Sequence, residues 1–219
     1  MGSRRKTAVA KQIMRARLMI DGTINNPDIQ EAATLFGYPA ARIQEGKALL
    51  DAVQAKRGSA ESRRTVKKTA TGTVQSATNV VYQLMTPLTG IARAVLVGDH
   101  IALGALGLDR GPLPRSRAGL LDAGRRFLNS LSTDSALATR LAVFGLSATK
   151  RSDLQAALTA LEQAQSTQAG AKGAAEDATP AVQEALDALN AWVMQYRKLA
   201  RIALKAHPQL LEKLGMPTK

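Results

Sequence analysis

The sequence predicts an all-α fold built as two homologous helical-bundle units in tandem. Three observations lead there. Apolar residues recur at three- and four-residue spacing, the period of a helix with one buried face, and no strand-type alternation appears. Aromatic residues make up only 3% of a chain that is 45% hydrophobic, and Ala carries much of that fraction, which suits closely packed helices. The chain also aligns with itself, without a gap, at an offset of 108 residues. Phe36-Gly37 falls on Phe144-Gly145, Val74-Gln75 on Val182-Gln183 and Ile91-Ala92-Arg93 on Leu199-Ala200-Arg201. Leu103, Leu106 and Gly107 fall on Leu211, Leu214 and Gly215.

The first unit, residues 1–108, opens with a helix whose apolar stripe is Ile13, Ala16 and Ile20. A short helix over about 28–35 follows, closed by Gly37. A third starts at Pro39 and runs through Leu49, Leu50 and Val53; a fourth runs from Val74 through Val81, Leu84, Leu88 and Ile91. Pro87 and Gly90 are expected to kink or weaken that fourth helix. The segment 109–114, Asp-Arg-Gly-Pro-Leu-Pro, reads as a linker, because Gly111, Pro112 and Pro114 interrupt a helix.

The second unit, residues 115–219, repeats the plan. Its first helix carries Leu120, Leu121, Gly124, Phe127, Leu128 and Leu131. Asp134 is placed to cap a short helix ending near Phe144-Gly145. Leu154, Ala157, Leu158, Leu161 and Ala164 mark the third, and Gly170 with Gly173 is expected to open a turn. Thr179 then Pro180 reads as the cap and first turn of a fourth helix carrying Val182, Ala185, Leu186, Leu189, Val193, Tyr196, Leu199 and Ile202. Pro208 either ends that helix or begins a short one over 209–214, stopped by Gly215. Each unit thus has three long helices and two short ones, the content of a four-helix-type bundle.

Composition narrows the chemistry. With no Cys there is no disulfide, thiolate zinc site, iron–sulfur cluster or Cys nucleophile. Two histidines, His100 and His207, follow no Glu at the spacing of a carboxylate-bridged metal site; each is expected near the last turn of a long helix, complementing its dipole. Gly104 and Gly107 have no phosphate-binding Lys beside them. No catalytic, cofactor-binding or metal-binding residue is expected, and the chain reads as no enzyme. No apolar run is long enough for a membrane span, and Lys11, Arg15 and Arg17 break what a secretory signal would need. The expected location by default is cytoplasmic.

The net charge of +13 supplies the one candidate site. Residues 56–68 hold Lys56, Arg57, Arg63, Arg64, Lys67 and Lys68 against Glu61, while the aligned 164–176 holds only Lys172 and Glu176. The repeat therefore provides a neutral version of the same segment, and the architecture does not require its basicity. An exposed hairpin tip is expected here, with Arg57, Arg64 and Lys68 along one side and Lys56, Arg63 and Lys67 beside them. Such a strip could track phosphates of a nucleic acid or another polyanion. Further basic clusters are Arg4, Arg5, Lys6, Lys11, Arg15 and Arg17 at the start and residues 197–219 at the end. Phe36, Phe127, Phe144 and Trp192 are expected in the core, and Tyr38, Tyr82 and Tyr196 with exposed hydroxyls, so base-stacking recognition is disfavoured. Arg93 and Arg201, at equivalent places, are expected to pair with a carboxylate or cap a carbonyl, with a shared anion site as the alternative.

Phe36-Gly37-Tyr38 with Arg42 and Glu45-Gly46, and the run Leu199-Ala200-Arg201-Ile202-Ala203-Leu204 through Pro208 to Gly215, give the chain a further likeness. It resembles a set of uncharacterised bacterial tandem helical-repeat proteins, with duplicated four-helix-bundle-like units. The second unit departs from the first motif, with Leu146 in place of Tyr38. The resemblance implies bundle architecture and no activity. The function expected from the sequence is that of a non-catalytic structural or interaction protein, a scaffold that self-assembles into a homo-oligomer or filament. The alternatives are sequence-nonspecific nucleic-acid or polyanion binding through 56–68, and a bundle enzyme or carrier with a small ligand between helices.

Overall fold

The computed structural model describes residues 2–109 and 111–216; of the side chains of residues 2–6 nothing is described. Among the described residues the chain is helical, with no strand. The elements in order are α1 (Gly2–Ile24), α2 (Pro27–Leu35), α3 (Ala40–Val95), α4 (His100–Ala105), α5 (Arg117–Thr133), α6 (Ser135–Ala142), α7 (Ala148–Ala203) and α8 (Pro208–Lys213).

Local chemistry explains most of the boundaries. Asn26 starts α2, its Oδ1 accepting from the N–H groups of Asp28 and Ile29 at 3.1 and 3.3 Å, with Pro27 in the first turn. Asp99 accepts from Ala102 N–H at 3.0 Å to start α4, and Ser116 from Gly119 N–H at 3.2 Å to start α5. Asp134 accepts from Leu137 N–H at 2.8 Å and so starts α6. Gly37 and Gly145, at φ 83 and 90, end α2 and α6 in the left-handed region that L side chains disfavour.

Two elements differ from the sequence reading. The helices expected at 39–53 and 74–91 are one helix, α3, and the two expected either side of Gly170 and Gly173 are one helix, α7. Each has 56 residues and contains a proline, Pro87 or Pro180. An interior proline costs on the order of 3 kcal/mol and each glycine about 1. The reason α7 nevertheless continues lies in its inner stripe. Leu154, Ala157, Leu161, Ala164, Gln168, Ala171, Ala175, Ala178 and Val182 alternate steps of three and four, and every one is buried or half-buried. That stripe crosses the glycines without a break, so folding back at Gly170 would give up a row of buried contacts.

Because neither long helix turns back, the chain packs into two compact units with unexpected membership. One holds Met1–Arg64 with Ala174–Lys219, the other Thr65–Gly173. The expected consecutive units, 1–108 and 115–219, do not coincide with these, and Asp109 with Gly111–Pro114 falls inside the second compact unit.

In the first compact unit α1 supplies Ile13, Ala16, Met19 and Ile20, α2 supplies Ile29 and Ala33, and α3 supplies Ile43, Leu50 and Val53. The second half of α7 adds Leu186, Leu189, Trp192, Tyr196 and Ala200, and Leu210, Leu214 and Met216 close the core. In the second unit α3 contributes Val74, Val81, Met85, Leu88 and Ala92. These pack with Leu120, Phe127 and Leu131 of α5, Leu137 and Leu141 of α6, and Leu154, Leu158 and Leu161 of α7.

Candidate interaction surfaces

The basic segment is no hairpin tip. Lys56, Arg57, Arg63, Arg64, Lys67 and Lys68 all lie inside α3, five of them exposed and Lys67 half-buried. At 100° per residue they occupy an arc of about 140° that also contains Ala60 and Val74, with Ala70 just beyond its edge, the positions α3 buries here. The cations therefore flank the buried stripe, where long aliphatic stems can cover apolar surface while the charges stay wet. Arg64 pairs with Glu61 at 3.4 Å, and Arg63 donates to the Ala174 carbonyl at 3.1 Å. Lys56, Arg57, Lys67 and Lys68 have no carboxylate partner among the described residues.

The other basic clusters are dispersed. Lys11, Arg15 and Arg17 are exposed on α1, with Arg17 donating to Gln54 at 3.1 Å, whereas the side chains of Arg4, Arg5 and Lys6 lie outside those described. Arg197, Lys198, Arg201, Lys205 and Lys213 are exposed; Lys219 is outside the described residues. Arg93 donates to the carbonyl of Gly111, the carbonyl-capping role expected of it.

Histidine placement departs from expectation. His100 is the first residue of α4 and His207 stands at the start of α8, so neither lies in a last helical turn. Both fall just past the glycine or turn that ends the preceding long helix, since α3 stops at Val95 and α7 at Ala203.

Tyrosine and phenylalanine exchange places relative to expectation. Tyr38 and Tyr196 are each 1% exposed, at the centre of an aromatic cluster with Trp192. Ring centroids lie 5.0 Å apart for Tyr38–Tyr196 and 5.1 Å for Trp192–Tyr196. The hydroxyls of Tyr196 and Thr23 are hydrogen-bonded, and Thr23 donates on to the Met19 carbonyl at 2.8 Å. Burial pushes the Tyr196 hydroxyl above its ordinary pKa, the Thr23 hydrogen bond pulls it back, and Tyr38 adds a smaller rise. Burial likewise raises Tyr38, opposed by Arg42, whose guanidinium sits 4.6 Å over the ring, and assisted by Glu45. Gly46 makes room for the cluster: a Cβ there would lie 2.5 Å from Trp192.

Phe127 and Trp192 are buried as expected, but Phe36 is 42% and Phe144 58% exposed. Each stands at the C-terminal end of a short helix beside a more exposed neighbour, Leu35 at 79% and Val143 at 80%. The positive-φ glycine that follows reverses the chain, so the residue ahead of it is carried outward while Tyr38 or Leu146, just beyond, turns into the core.

No protein-family model, curated protein or solved structure matches this chain. The surface itself must then carry the functional argument. Sequence periodicity could not find the two exposed pairs, since a hydrophobic residue at a helix end satisfies the same pattern whether it faces in or out. The useful signal was the Phe-Gly dipeptide at 36–37 and 144–145, because a C-terminal glycine marks where a stripe stops pointing inward.

Proposed function

We propose that the chain is a non-catalytic, self-associating helical scaffold built from a duplicated unit of 108 residues. The duplication is supported by element boundaries that repeat at that offset: α3 and α7 begin at 40 and 148 and end at 95 and 203, and α4 and α8 run 100–105 and 208–213. The left-handed glycines Gly37 and Gly107 likewise have counterparts in Gly145 and Gly215.

One observation carries the scaffold reading: the uncovered apolar pairs Leu35-Phe36 and Val143-Phe144 at equivalent places. Large apolar side chains that a compact unit leaves to water favour association, at roughly 25 cal/mol for each Å² removed from water. Sedimentation velocity over a hundredfold range of concentration tests it. Growth of larger species with concentration, without nucleic acid, is expected; a strict monomer throughout refutes the reading.

A second reading has its own support, the six α3 cations gathered on one arc of a continuous helix. A polyanion bound there would be held through phosphates, with a log–log salt slope of about −5 if six are neutralised. Replacing Lys56, Arg57, Arg63, Arg64, Lys67 and Lys68 by Gln should abolish binding to a nonspecific DNA duplex; an unchanged affinity rules the reading out.

A further inference from the structure

The two exposed apolar pairs are not equivalent in charge. On α2, Asp28, Glu31 and Leu35 stand at i, i+3 and i+7, on one exposed stripe. Neither acid is in an ion pair among the described residues. Arg42 is the nearby cation, and it is engaged with the Tyr38 ring and with the Gly37 carbonyl at 3.1 Å. The matching stripe of α6 carries Ala136, Thr139 and Val143, with Arg140 beside them. Lys150 and Arg151 lie in the first turn of α7, just beyond Phe144. The Lys150 ammonium lies beside the Gly145 turn.

Arg151 adds a second observation. Its Nε is buried without a hydrogen-bond partner, and the residue lines an open cleft with Leu131, Ser135 and Thr139. A cationic side chain lining such a cleft suits an incoming carboxylate. Arg140 is held at 3.2 Å by Asp99, which offsets part of the positive charge; Lys150 and Arg151 have no such partner among the described residues.

We infer that two copies of this chain associate heterologously, the exposed acidic and apolar stripe of α2 in one copy docking on the basic apolar end of α6 and the first turn of α7 in the next. The inference rests on the scaffold reading and names its contact. Charge decides between the possible pairings. An α2-to-α2 contact would set Asp28 and Glu31 against themselves, and an α6-to-α6 contact would do the same with Arg140, Lys150 and Arg151, whereas α2-to-α6 joins opposite signs around both apolar pairs. Each chain carries one face of each kind, so the contact repeats from copy to copy.

Two variants of the full chain test this. Leu35→Ser with Phe36→Ser removes the α2 face, and Val143→Ser with Phe144→Ser removes the α6 face. Alone, each variant lacks one half of the contact and should stay monomeric where the unaltered chain assembles. Mixed, they retain one intact contact and should give a 1:1 heterodimer that grows no further, seen by sedimentation with one partner fluorescently labelled. A variant that assembles alone like the unaltered chain overturns the pairing and leaves the scaffold reading standing. Failure of the mixture to dimerise, with both variants folded by circular dichroism, also overturns it. A monomeric unaltered chain removes the scaffold reading and this contact together. Should the serine variants unfold, surface charge reversal serves instead: Asp28→Lys with Glu31→Lys, and Lys150→Glu, should each weaken assembly at least tenfold. Mixing them should restore it, and absence of that rescue counts against the contact.

Discussion

Trp192 occupies the space that the missing side chain of Gly46 leaves open. Gly46→Ala would normally raise helix propensity, but here a methyl group 2.5 Å from Trp192 Cζ2 forces the ring or the helix to move. The expected result is a loss of about 1–3 kcal/mol in denaturant unfolding, with an altered Trp192 emission spectrum. A stability gain would mean that the ring relaxes without cost. The two buried tyrosines impose a pH limit. Their hydroxyls ionise less readily folded than unfolded, relative to the ordinary value of 10.0. Below that pH both states are neutral there and the tyrosines leave stability unchanged. As pH rises through 10 the unfolded chain releases protons that the folded chain keeps, so stability falls. Thermal melts at pH 8 and above 10 should show that loss, and Tyr196→Phe should reduce it. The same variant should cost about 1 kcal/mol at neutral pH, through the lost hydrogen bond with Thr23.

The elements set against local propensity are α3 and α7. Gly170 and Gly173 sit within α7, with open space where each Cβ would be. Gly170→Ala and Gly173→Ala should therefore each stabilise the protein by about 0.5–1 kcal/mol, the helix-propensity gain. A turn at these positions would make the same substitutions neutral or harmful, so urea unfolding of the two variants reads the helix continuity directly. The glycines at the ends of α2 and α6 respond in the opposite sense, since Gly37 and Gly145 hold a positive φ that alanine disfavours.

At the scale of the whole molecule, membership of the compact units decides what a cut chain does. A protease site placed between Gly111 and Pro112 separates two pieces of nearly equal length. The first compact unit needs residues 1–64 from one piece and 174–219 from the other. After cleavage the pieces should still migrate as one particle on a sizing column and part only in denaturant. Two separately eluting fragments would show that each piece holds its own core.

Much of this was legible in the sequence. The helical class, the stripes Ile13-Ala16-Ile20 and Leu120-Phe127-Leu131, the cap at Asp134 and the glycines at 37 and 145 are local features, written in spacing and in residue chemistry. The six α3 cations were also recognisable as a charged group, though not their place beside a buried stripe. Other features depended on competition between local and distant terms. Gly170, Gly173 and Pro180 favour a break by themselves, and only an inner stripe buried along its whole length overrides them. Tyr38 and Phe36 are two residues apart and both aromatic, yet one is buried against Trp192 and Tyr196 while the other faces water. Sequence alone thus determined that the chain is helical and where the short helices before Gly37 and Gly145 stop, because caps and glycines act over a few residues. Tertiary structure decided which helices run on, which halves share a core and which aromatics stay outside, because those outcomes depend on buried surface supplied by segments more than a hundred residues away.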